Sequence, residues 1–343
     1  MKDLWDYLKG VNKPVVLYGT GNGADKILNE LILRGITVSG VFASDGFVRN
    51  RTFRGFPVLS YNNAKLKFGN MVVLVCFGSF LPEVINNIKL IASENETYAP
   101  DVPVCEVSGV FDLEYAAEHK EQLEKVYNLL ADDTSKKVFE NIILYKITGK
   151  INYLLESETP KSEIYNILTL NSCNVYLDLG AYNGDTVAEF LGYNNCPKKI
   201  IALEPDIKNF KKLVNNTKQY DFVNCINAAV GANCGSVNFL ARGGRNSKIN
   251  SQGNNIPQIS VDSLNLTGDI FIKMDIEGNE SQAILGAEKT IKLFKPKMNI
   301  AAYHKNADMF ELPLSVLKIN PDYKVYLRHH PYLPAWDTNF YFI

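Results

Sequence analysis

The amino-terminal third of the chain alternates short apolar runs with helical patterns. The apolar run Val15–Tyr18 precedes a glycine-rich turn and a stretch with apolar residues at helical spacing. A second run follows at residues 38–43, and residues 71–78 have the continuous apolar character of a parallel strand that is buried on both faces. This order predicts a smaller Rossmann-like α/β domain at residues 1–110, of the kind that binds a nucleotide or a nucleotide sugar.

The rest of the chain divides into a helical part and a second α/β part. Residues 111–171 carry charged and apolar residues at helical spacing, which predicts a helical connector. Residues 172–343 alternate strand-like runs with helical patterns and therefore predict a mostly parallel sheet. The last two runs lie too close together for a crossover helix, so we expect them to pair antiparallel. The candidate strands are 174–179, 199–203, 225–230, 269–274, 297–303, 323–328 and 339–343, with an inserted hairpin or edge strand within 236–263.

The loop after the first strand of this second part carries the strongest chemical signal. Asp178 ends an apolar run, Gly180 and Gly184 follow, and Glu204 closes the next apolar run. A glycine turn lets a ligand approach the backbone, and a carboxylate at the end of the next strand can accept two hydrogen bonds from a ribose diol. Asp178 would repel a pyrophosphate but suits an ammonium or sulfonium group. The loop therefore predicts S-adenosylmethionine as the ligand.

The turn in the amino-terminal part is a looser match to a nucleotide site. Gly19, Gly21 and Gly23 follow the first strand, but the last glycine of the dinucleotide fingerprint comes one position later. Two alternatives remain open for this part. It could hold NAD in a nucleotide-sugar-modifying enzyme, or it could be a non-catalytic module that binds a nucleotide sugar or a partner.

Composition excludes several classes of protein. The chain has 343 residues, 46% of them hydrophobic and 21% charged, with a formal net charge of -1. These values are those of a soluble globular protein and give no electrostatic reason to expect nucleic acid or a membrane surface. There is no apolar run long enough for a membrane span, and the amino terminus lacks a signal-like pattern, so we expect a cytoplasmic protein. The six cysteines form no C-x-x-C pair, which argues against a structural zinc site.

Five segments in the second α/β part resemble the FkbM family of S-adenosylmethionine-dependent methyltransferases. Each lies at a predicted strand end, and the resemblance covers most of residues 172–343; the segments are 178–186, 202–206, 227–231, 272–280 and 303–305. Tyr182 stands where the family's first loop usually has asparagine. The resemblance implies the class I methyltransferase fold, a seven-stranded Rossmann-like sheet with an antiparallel last strand. It also implies O-methylation of a hydroxyl on a sugar, a glycan or a related metabolite.

The resemblance and the strand-end positions together give a set of candidate site residues. Asp275 emerges from a buried strand, and His304 ends the neighbouring strand and titrates near neutral pH, which suits a general base. Glu277 either takes part in catalysis or caps the helix that begins near Asn279. We expect His304, Asp275 and Glu277 to be catalytic, and the residues expected to bind the donor are Asp178, Gly180, Ala181, Gly184, Thr186, Glu204, Ala228 and Asp275. A divalent metal could be held by these carboxylates, but no spacing requires one and no metal site is predicted.

Outside this set, two groups of residues leave alternatives open. Arg242, Arg245 and Lys248 lie in a glycine-rich insertion and either hold an anionic acceptor or form a solvated loop. His329 and His330 are expected on an exposed turn, with a place at the acceptor site as the alternative. The acceptor itself is expected to be a small molecule or a glycan.

Overall fold

The computed structural model describes residues 2–105, 109–194, 196–240, 248–249 and 253–343. The chain folds into two compact units. The first is formed by residues 1–123, 136–159 and 329–337, and the second by residues 124–135, 160–328 and 338–343. The predicted domain boundaries at residues 110 and 171 stay predictions.

The first unit contains a six-stranded sheet. Its strands are β1 (Val15–Tyr18), β2 (Gly40–Phe42), β3 (Thr52–Phe53), β4 (Phe56–Leu59), β5 (Val72–Val75) and β6 (Glu96–Tyr98), in the order β3-β4-β2-β1-β5-β6. The central strand β1 pairs parallel with both β2 and β5, and only the short β3–β4 hairpin is antiparallel. All residues of β1 and β5 are buried, as their continuous apolar runs predict. The helices of this part are α1 (Leu4–Lys9), α2 (Asn22–Leu33), α3 (Tyr61–Phe68) and α4 (Pro82–Glu94), with a 3₁₀ turn at Asp45–Phe47.

The segment predicted as a connector is helical. Its helices are α5 (Leu113–Glu118), α6 (Lys120–Leu129), α7 (Asp133–Thr148), α8 (Ile151–Leu155) and α9 (Lys161–Leu168), followed by a 3₁₀ turn at Leu170–Ser172.

His329 and His330 are both buried, so the expectation of an exposed turn was wrong. Nδ1 of His330 lies 2.8 Å from the carbonyl oxygen of Thr159, and burial lowers the pKa of His329 to about 4.

A seven-stranded sheet forms the core of the second α/β part. This part also contains a smaller sheet, and the strands of both sheets in chain order are β7 (Val175–Leu179), β8 (Lys199–Leu203), β9 (Val223–Ile226), β10 (Ala229–Val230), β11 (Gly235–Leu240), β12 (Lys248–Ile249), β13 (Asn254–Ile259), β14 (Ile270–Met274), β15 (Lys297–Ala301), β16 (Val325–His329) and β17 (Thr338–Phe342). The large sheet has the order β16-β17-β15-β14-β7-β8-β9, with β17 antiparallel to β15. Lys324 and Ile343 exchange both backbone hydrogen bonds beside β16 and β17, which is the antiparallel pattern. The predicted class I methyltransferase sheet is confirmed.

Helices connect these parallel strands. They are α10 (Asp185–Tyr193), α11 (Ile207–Thr217), α12 (Glu280–Leu285), α13 (Glu288–Phe294) and α14 (Asp308–Ile319), with a 3₁₀ turn at Val261–Leu264. Because the carboxyl ends of parallel strands lie at one edge, the loops after β7, β8, β14 and β15 meet there.

The prediction of one strand at residues 225–230 was wrong. β9 ends at Ile226, and the side chain of Asn227 donates to the carbonyl oxygens of Glu204 and Pro205. The chain turns there, and β10 joins a separate four-stranded sheet of order β10-β13-β11-β12. The expected insertion is present in this sheet, where β11 pairs antiparallel with β13. Arg242 and Arg245 lie outside the described residues, and Lys248 lies in β12.

Candidate active site

Two glycines shape the loop that follows β7. Gly180 has a φ of +83°, and a Cβ atom there would lie 2.0 Å from the carbonyl oxygen of Asp275, so a larger residue would force the backbone to shift. Gly184 has a φ of +90° and precedes the first residue of α10. Both conformations lie in the left-handed region that glycine adopts without strain. The loop after β7 therefore lies directly against the loop after β14.

Asp178 lies beneath this loop. Its side chain is completely buried and accepts a hydrogen bond from Oγ1 of Thr186. Its Oδ1 lies 3.3 Å from Nζ of Lys273, which also donates to the carbonyl oxygen of Gly180 at 2.8 Å. Burial alone would lower the pKa of Lys273, but the nearby carboxylates, Asp178 foremost, raise it above its ordinary value. The charge of Asp178 is thus compensated inside the protein, and its contact with a ligand stays a prediction.

Glu204 joins the loops after β7 and β8. Its Oε2 accepts a hydrogen bond from the backbone N–H of Tyr182 at 2.9 Å, and its Oε1 accepts one from the backbone N–H of Asp206 at 2.8 Å. Burial raises the pKa of Glu204 to about 7. Each carboxylate oxygen has two acceptor positions, so the side chain can accept further hydrogen bonds from a ligand.

The other loop residues predicted to contact the donor line the same edge of the sheet. Ala181 is fully buried, and its N–H donates to the carbonyl oxygen of Leu203. Ala228 is also buried and lies in the turn between β9 and β10. Tyr182 has a φ of +46°, a conformation that asparagine tolerates better than tyrosine. This preference is a physical reason for the asparagine of the family motif.

Four polar side chains meet beyond the ends of β14 and β15. Nε2 of His304 lies 3.4 Å from Oδ1 of Asp275 and 3.7 Å from Oε2 of Glu277. Its Nδ1 lies 3.1 Å from Oε1 of Glu280. His304 and Glu280 are each only 1% exposed, whereas the Asp275 and Glu277 side chains are 36% and 28% exposed. The hydroxyl of Tyr303 donates to the Asp275 carboxylate at 3.0 Å. We refer to Asp275, Glu277, Glu280 and His304 as the acidic–histidine cluster.

The cluster's carboxylates control the charge of His304. Burial alone would lower the pKa of His304, but Glu280 first, and then Asp275 and Glu277, raise it to about 10. The same contact holds the pKa of Glu280 below its ordinary value despite its burial. Burial and the neighbouring Glu280 raise the pKa of Asp308. His304 therefore carries a proton at neutral pH in the unliganded protein.

The structure brings together most of the predicted site residues and adds others. Four predicted residues lie at or after the carboxyl ends of strands, as the strand-end argument predicts. They are Asp178 near the end of β7, Glu204 after β8, Asp275 after β14 and His304 after β15. Glu277 has a φ of +55°, and α12 begins at Glu280, whose Oε1 accepts from the N–H groups of Ile276 and Gly278. Residues that the sequence analysis did not assign are Lys273, Glu280, Tyr303 and Asp308. Lys273 had a visible signal, since it is the one charged residue within the strand β14.

Comparisons with known proteins identify the carboxy-terminal part. Residues 178–332 match the model of the methyltransferase FkbM domain. A crystal structure of methyltransferase FkbM from Methylobacillus flagellatus KT is similar with a TM-score of 0.74 at 23% identity, covering 96% of this chain and 90% of that chain. At this identity the likeness shows the fold. A search of curated proteins found no match.

Two further solved structures align less well. Aeropyrum pernix fibrillarin with bound S-adenosylmethionine has a TM-score of 0.34 at 11% identity, covering 51% of this chain and 68% of that chain. A precorrin-6y C5,15-methyltransferase from Geobacter metallireducens has a TM-score of 0.32 at 13% identity, covering 55% of this chain and 89% of that chain. These scores are too low to support any inference.

The domain match indicates a methyltransferase in the carboxy-terminal part. It favours methyl transfer over the NAD-dependent alternative, while a ligand for the amino-terminal unit stays a prediction. Among the described residues, no helix is both long and apolar enough to cross a membrane. The matched domain begins at Asp178, and the six-stranded sheet precedes it in the chain. The carboxy-terminal part of the chain thus matches the FkbM domain of methyltransferases over residues 178–332, and it shares the fold of an FkbM methyltransferase.

Proposed function

We propose that the protein transfers the methyl group of S-adenosylmethionine to a hydroxyl oxygen of a sugar or glycan. The observation that carries this proposal is the pair of partly exposed carboxylates, Asp275 and Glu277, beside the glycine loop. An alcohol must lose its proton to become a good nucleophile, and a positioned carboxylate can take that proton. Sugars present several hydroxyl groups, so a second carboxylate has a hydrogen-bonding partner on the same acceptor.

The donor is proposed to lie along the loops after β7, β8, β9 and β14. Glu204 would accept hydrogen bonds from the two ribose hydroxyls, because its buried carboxylate ends the strand next to β7. Gly180 and Gly184 would let the donor approach the backbone, and Ala228 would lie against the adenine. Asp275 lies beside Gly180 and would face the positively charged amino-acid end of the donor.

The reaction needs alignment and one proton transfer. The hydroxyl oxygen forms a bond to the methyl carbon while the carbon–sulfur bond breaks, and the bonding pair stays on sulfur as S-adenosylhomocysteine forms. Alignment of the two reactants can supply about 7 to 11 kcal/mol of the barrier in well-oriented cases. The hydroxyl proton passes to a base, which contributes about 10²- to 10⁴-fold in rate.

We assign the proton acceptor to Asp275. Its carboxylate is partly exposed and is oriented by the Tyr303 hydroxyl. His304, the base expected from the sequence, holds a proton at neutral pH because the surrounding carboxylates raise its pKa to about 10. We therefore propose that His304 is a positioning residue that holds Asp275 and Glu277, while Glu277 binds a second hydroxyl of the acceptor.

Methylation of a panel of monosaccharides and oligosaccharides tests the proposal. We expect release of S-adenosylhomocysteine and a product whose methyl group is located on oxygen by NMR. Asp275→Asn should lower kcat by about 10²- to 10⁴-fold. Asp269→Asn, at the opposite end of β14, is the matched control and should keep the wild-type kcat. A methyl group on nitrogen or carbon, or an Asp275→Asn variant with wild-type kcat, would contradict the proposal.

A further inference from the structure

Several buried polar atoms in the acidic–histidine cluster make no hydrogen bond. They are Nδ1 and Nε2 of His304 and Oε2 of Glu280. The ring nitrogens have carboxylate oxygens nearby, but these contacts lack hydrogen-bond geometry. Because buried polar atoms in folded proteins are nearly always paired, three such atoms at one place point to a ligand.

The spacing of the donor atoms fits a metal ion. Asp275, Glu280 and His304 each offer one donor atom, and these atoms all lie within 4.8 Å of one another. Metal–ligand bonds of about 2.1 Å place neighbouring donors ~3 Å apart and opposite donors ~4.2 Å apart. Small side-chain movements would therefore bring all three atoms into coordination. We propose that Asp275, Glu280 and His304 bind a divalent cation. A histidine ligand must be neutral, so the cation would displace the proton that His304 holds in the unliganded protein.

The three side chains are held in place by their surroundings. Oε1 of Glu280 accepts hydrogen bonds from the N–H groups of Ile276 and Gly278, which leaves its Oε2 without a partner. The Tyr303 hydroxyl orients Asp275 through a hydrogen bond. His304, three residues after the end of β15, is held in place because it is buried. Such outer contacts orient metal ligands in known sites.

Charge and ligand type indicate which cation would bind. The described residues around the site include Asp275, Glu277, Glu280 and Asp308, so a divalent cation would compensate several buried or partly buried acids. Two carboxylates and one imidazole suit Mn²⁺, since Mg²⁺ prefers oxygen ligands and structural zinc favours cysteine and histidine. The partly exposed Asp275 leaves one side of the ion open to another ligand.

The open side gives the cation a role in methyl transfer. This role, though not the binding itself, rests on the proposed function. A cation that binds the acceptor hydroxyl would lower its pKa, so that the proton leaves more easily. Asp275 would hold the cation through one carboxylate oxygen, and its other oxygen would still take the proton.

Direct Mn²⁺ binding tests the site without an acceptor. The protein is stripped of metal with a chelator and titrated with Mn²⁺ while the free ion is followed by electron paramagnetic resonance. We expect one bound Mn²⁺ per chain for wild type and at least ~10-fold weaker binding for Asp275→Asn and Glu280→Gln. Asp269→Asn, at the other end of β14, should bind like wild type. Circular dichroism establishes that each variant is folded, and Asp275→Asn serves where Glu280→Gln fails to fold.

Two outcomes would overturn the metal site. One is the absence of Mn²⁺ binding to folded wild-type protein, and the other is equal binding by wild type and Asp275→Asn. A parallel titration with S-adenosylmethionine separates this result from the proposed function. Donor binding without Mn²⁺ binding would remove the metal site alone, whereas Mn²⁺ binding without donor binding would support the metal site and contradict the methyl-transfer assignment.

Discussion

The two glycine turns of this protein occupy equivalent places in their sheets but have different chemical surroundings. Both follow a buried parallel strand and lead into a helix, α2 in one case and α10 in the other. A Cβ on Gly23 would lie 2.3 Å from the carbonyl oxygen of Cys76, and a Cβ on Gly180 would lie 2.0 Å from that of Asp275. In each sheet, a glycine thus permits close contact between the segments that follow two adjacent strands, with Gly23 in the first turn of α2 and Gly180 in a loop.

The residues at the neighbouring strand ends differ. The turn after β1 faces Ser44, whose hydroxyl lies 2.6 Å from the hydroxyl of Tyr18, and the Cys76 thiol lies in an apolar interior. The turn after β7 contacts the carboxylate of Glu204 and the backbone carbonyl of Asp275, a second acidic residue. A glycine turn therefore supplies access to the backbone, but the charged groups around it determine which ligand it can bind and which reaction follows.

Breaking the buried ion pair under the second turn should have the largest effect on stability. Lys273 pairs with Asp178 across β14 and β7, and Lys273→Met would leave the Asp178 carboxylate buried without its cation. We expect the free energy of unfolding to fall by about 3 to 5 kcal/mol. Leu74→Met, at the corresponding position of the first sheet beside Leu17, should cost less than about 1.5 kcal/mol. Urea denaturation measures both, and equal losses would remove the contrast between the turns.

Filling each glycine position should separate stability from donor binding. Gly180→Ala and Gly23→Ala both introduce a Cβ against a backbone oxygen, at a cost of about 1 to 3 kcal/mol in unfolding free energy. Gly180→Ala should also lower the affinity for S-adenosylmethionine, because the loop after β7 must move. Gly23→Ala should keep the wild-type affinity. Thermal unfolding and calorimetry measure the two effects, and a loss of donor affinity in Gly23→Ala would contradict the assignment of the donor to the second turn.

Donor affinity should depend on pH through Glu204. Burial raises the pKa of this carboxyl to about 7, so it is protonated below that pH and loses its capacity to accept two ribose hydrogen bonds. Affinity should therefore fall by up to about tenfold per pH unit below 7, and Glu204→Gln should remove this dependence. The stability of the unliganded protein depends on pH with the opposite sign. Folding raises the pKa of Glu204, so its contribution to the free energy of unfolding decreases as pH rises from about 4.5 to 7. Calorimetry across this range measures the affinity, and a flat profile in wild type would exclude the role of Glu204.

The sequence predicted the strands and the charged strand ends well. The bounds of β1 and β8 agree with the predicted apolar runs, because each buried run ends at a residue of a different kind, Gly19 after β1 and Glu204 after β8. The sequence indicated Glu204 and Asp275 as candidates because each follows a strand-like apolar run, and residues at that place lie at the ligand-binding edge of a parallel sheet. The sequence did not predict the break between β9 and β10 within residues 225–230. This break depends on a hydrogen bond from the Asn227 side chain to the loop after β8, which is distant in sequence.

The charge states within the site could not be read from the sequence. His304 was expected to titrate near neutral pH, but its pKa depends on three carboxylates that surround it in space. Glu280 stands at the first turn of α12, where an acid is common for reasons of the helix dipole alone. Its burial against His304 was visible only once β14 and β15 had been placed side by side.

Binding of S-adenosylmethionine to wild type, Glu204→Ala and Ser44→Ala tests the central contrast most directly. Glu204 and Ser44 follow corresponding strands, β8 and β2, next to the two glycine turns. We expect calorimetry to show one donor per wild-type chain with micromolar affinity, about 100-fold weaker binding for Glu204→Ala, and unchanged binding for Ser44→Ala, since hydrogen bonds to a charged group contribute about 1.5 to 3 kcal/mol. No binding to folded wild type, or equal affinity in Glu204→Ala, would contradict a donor site at the second turn.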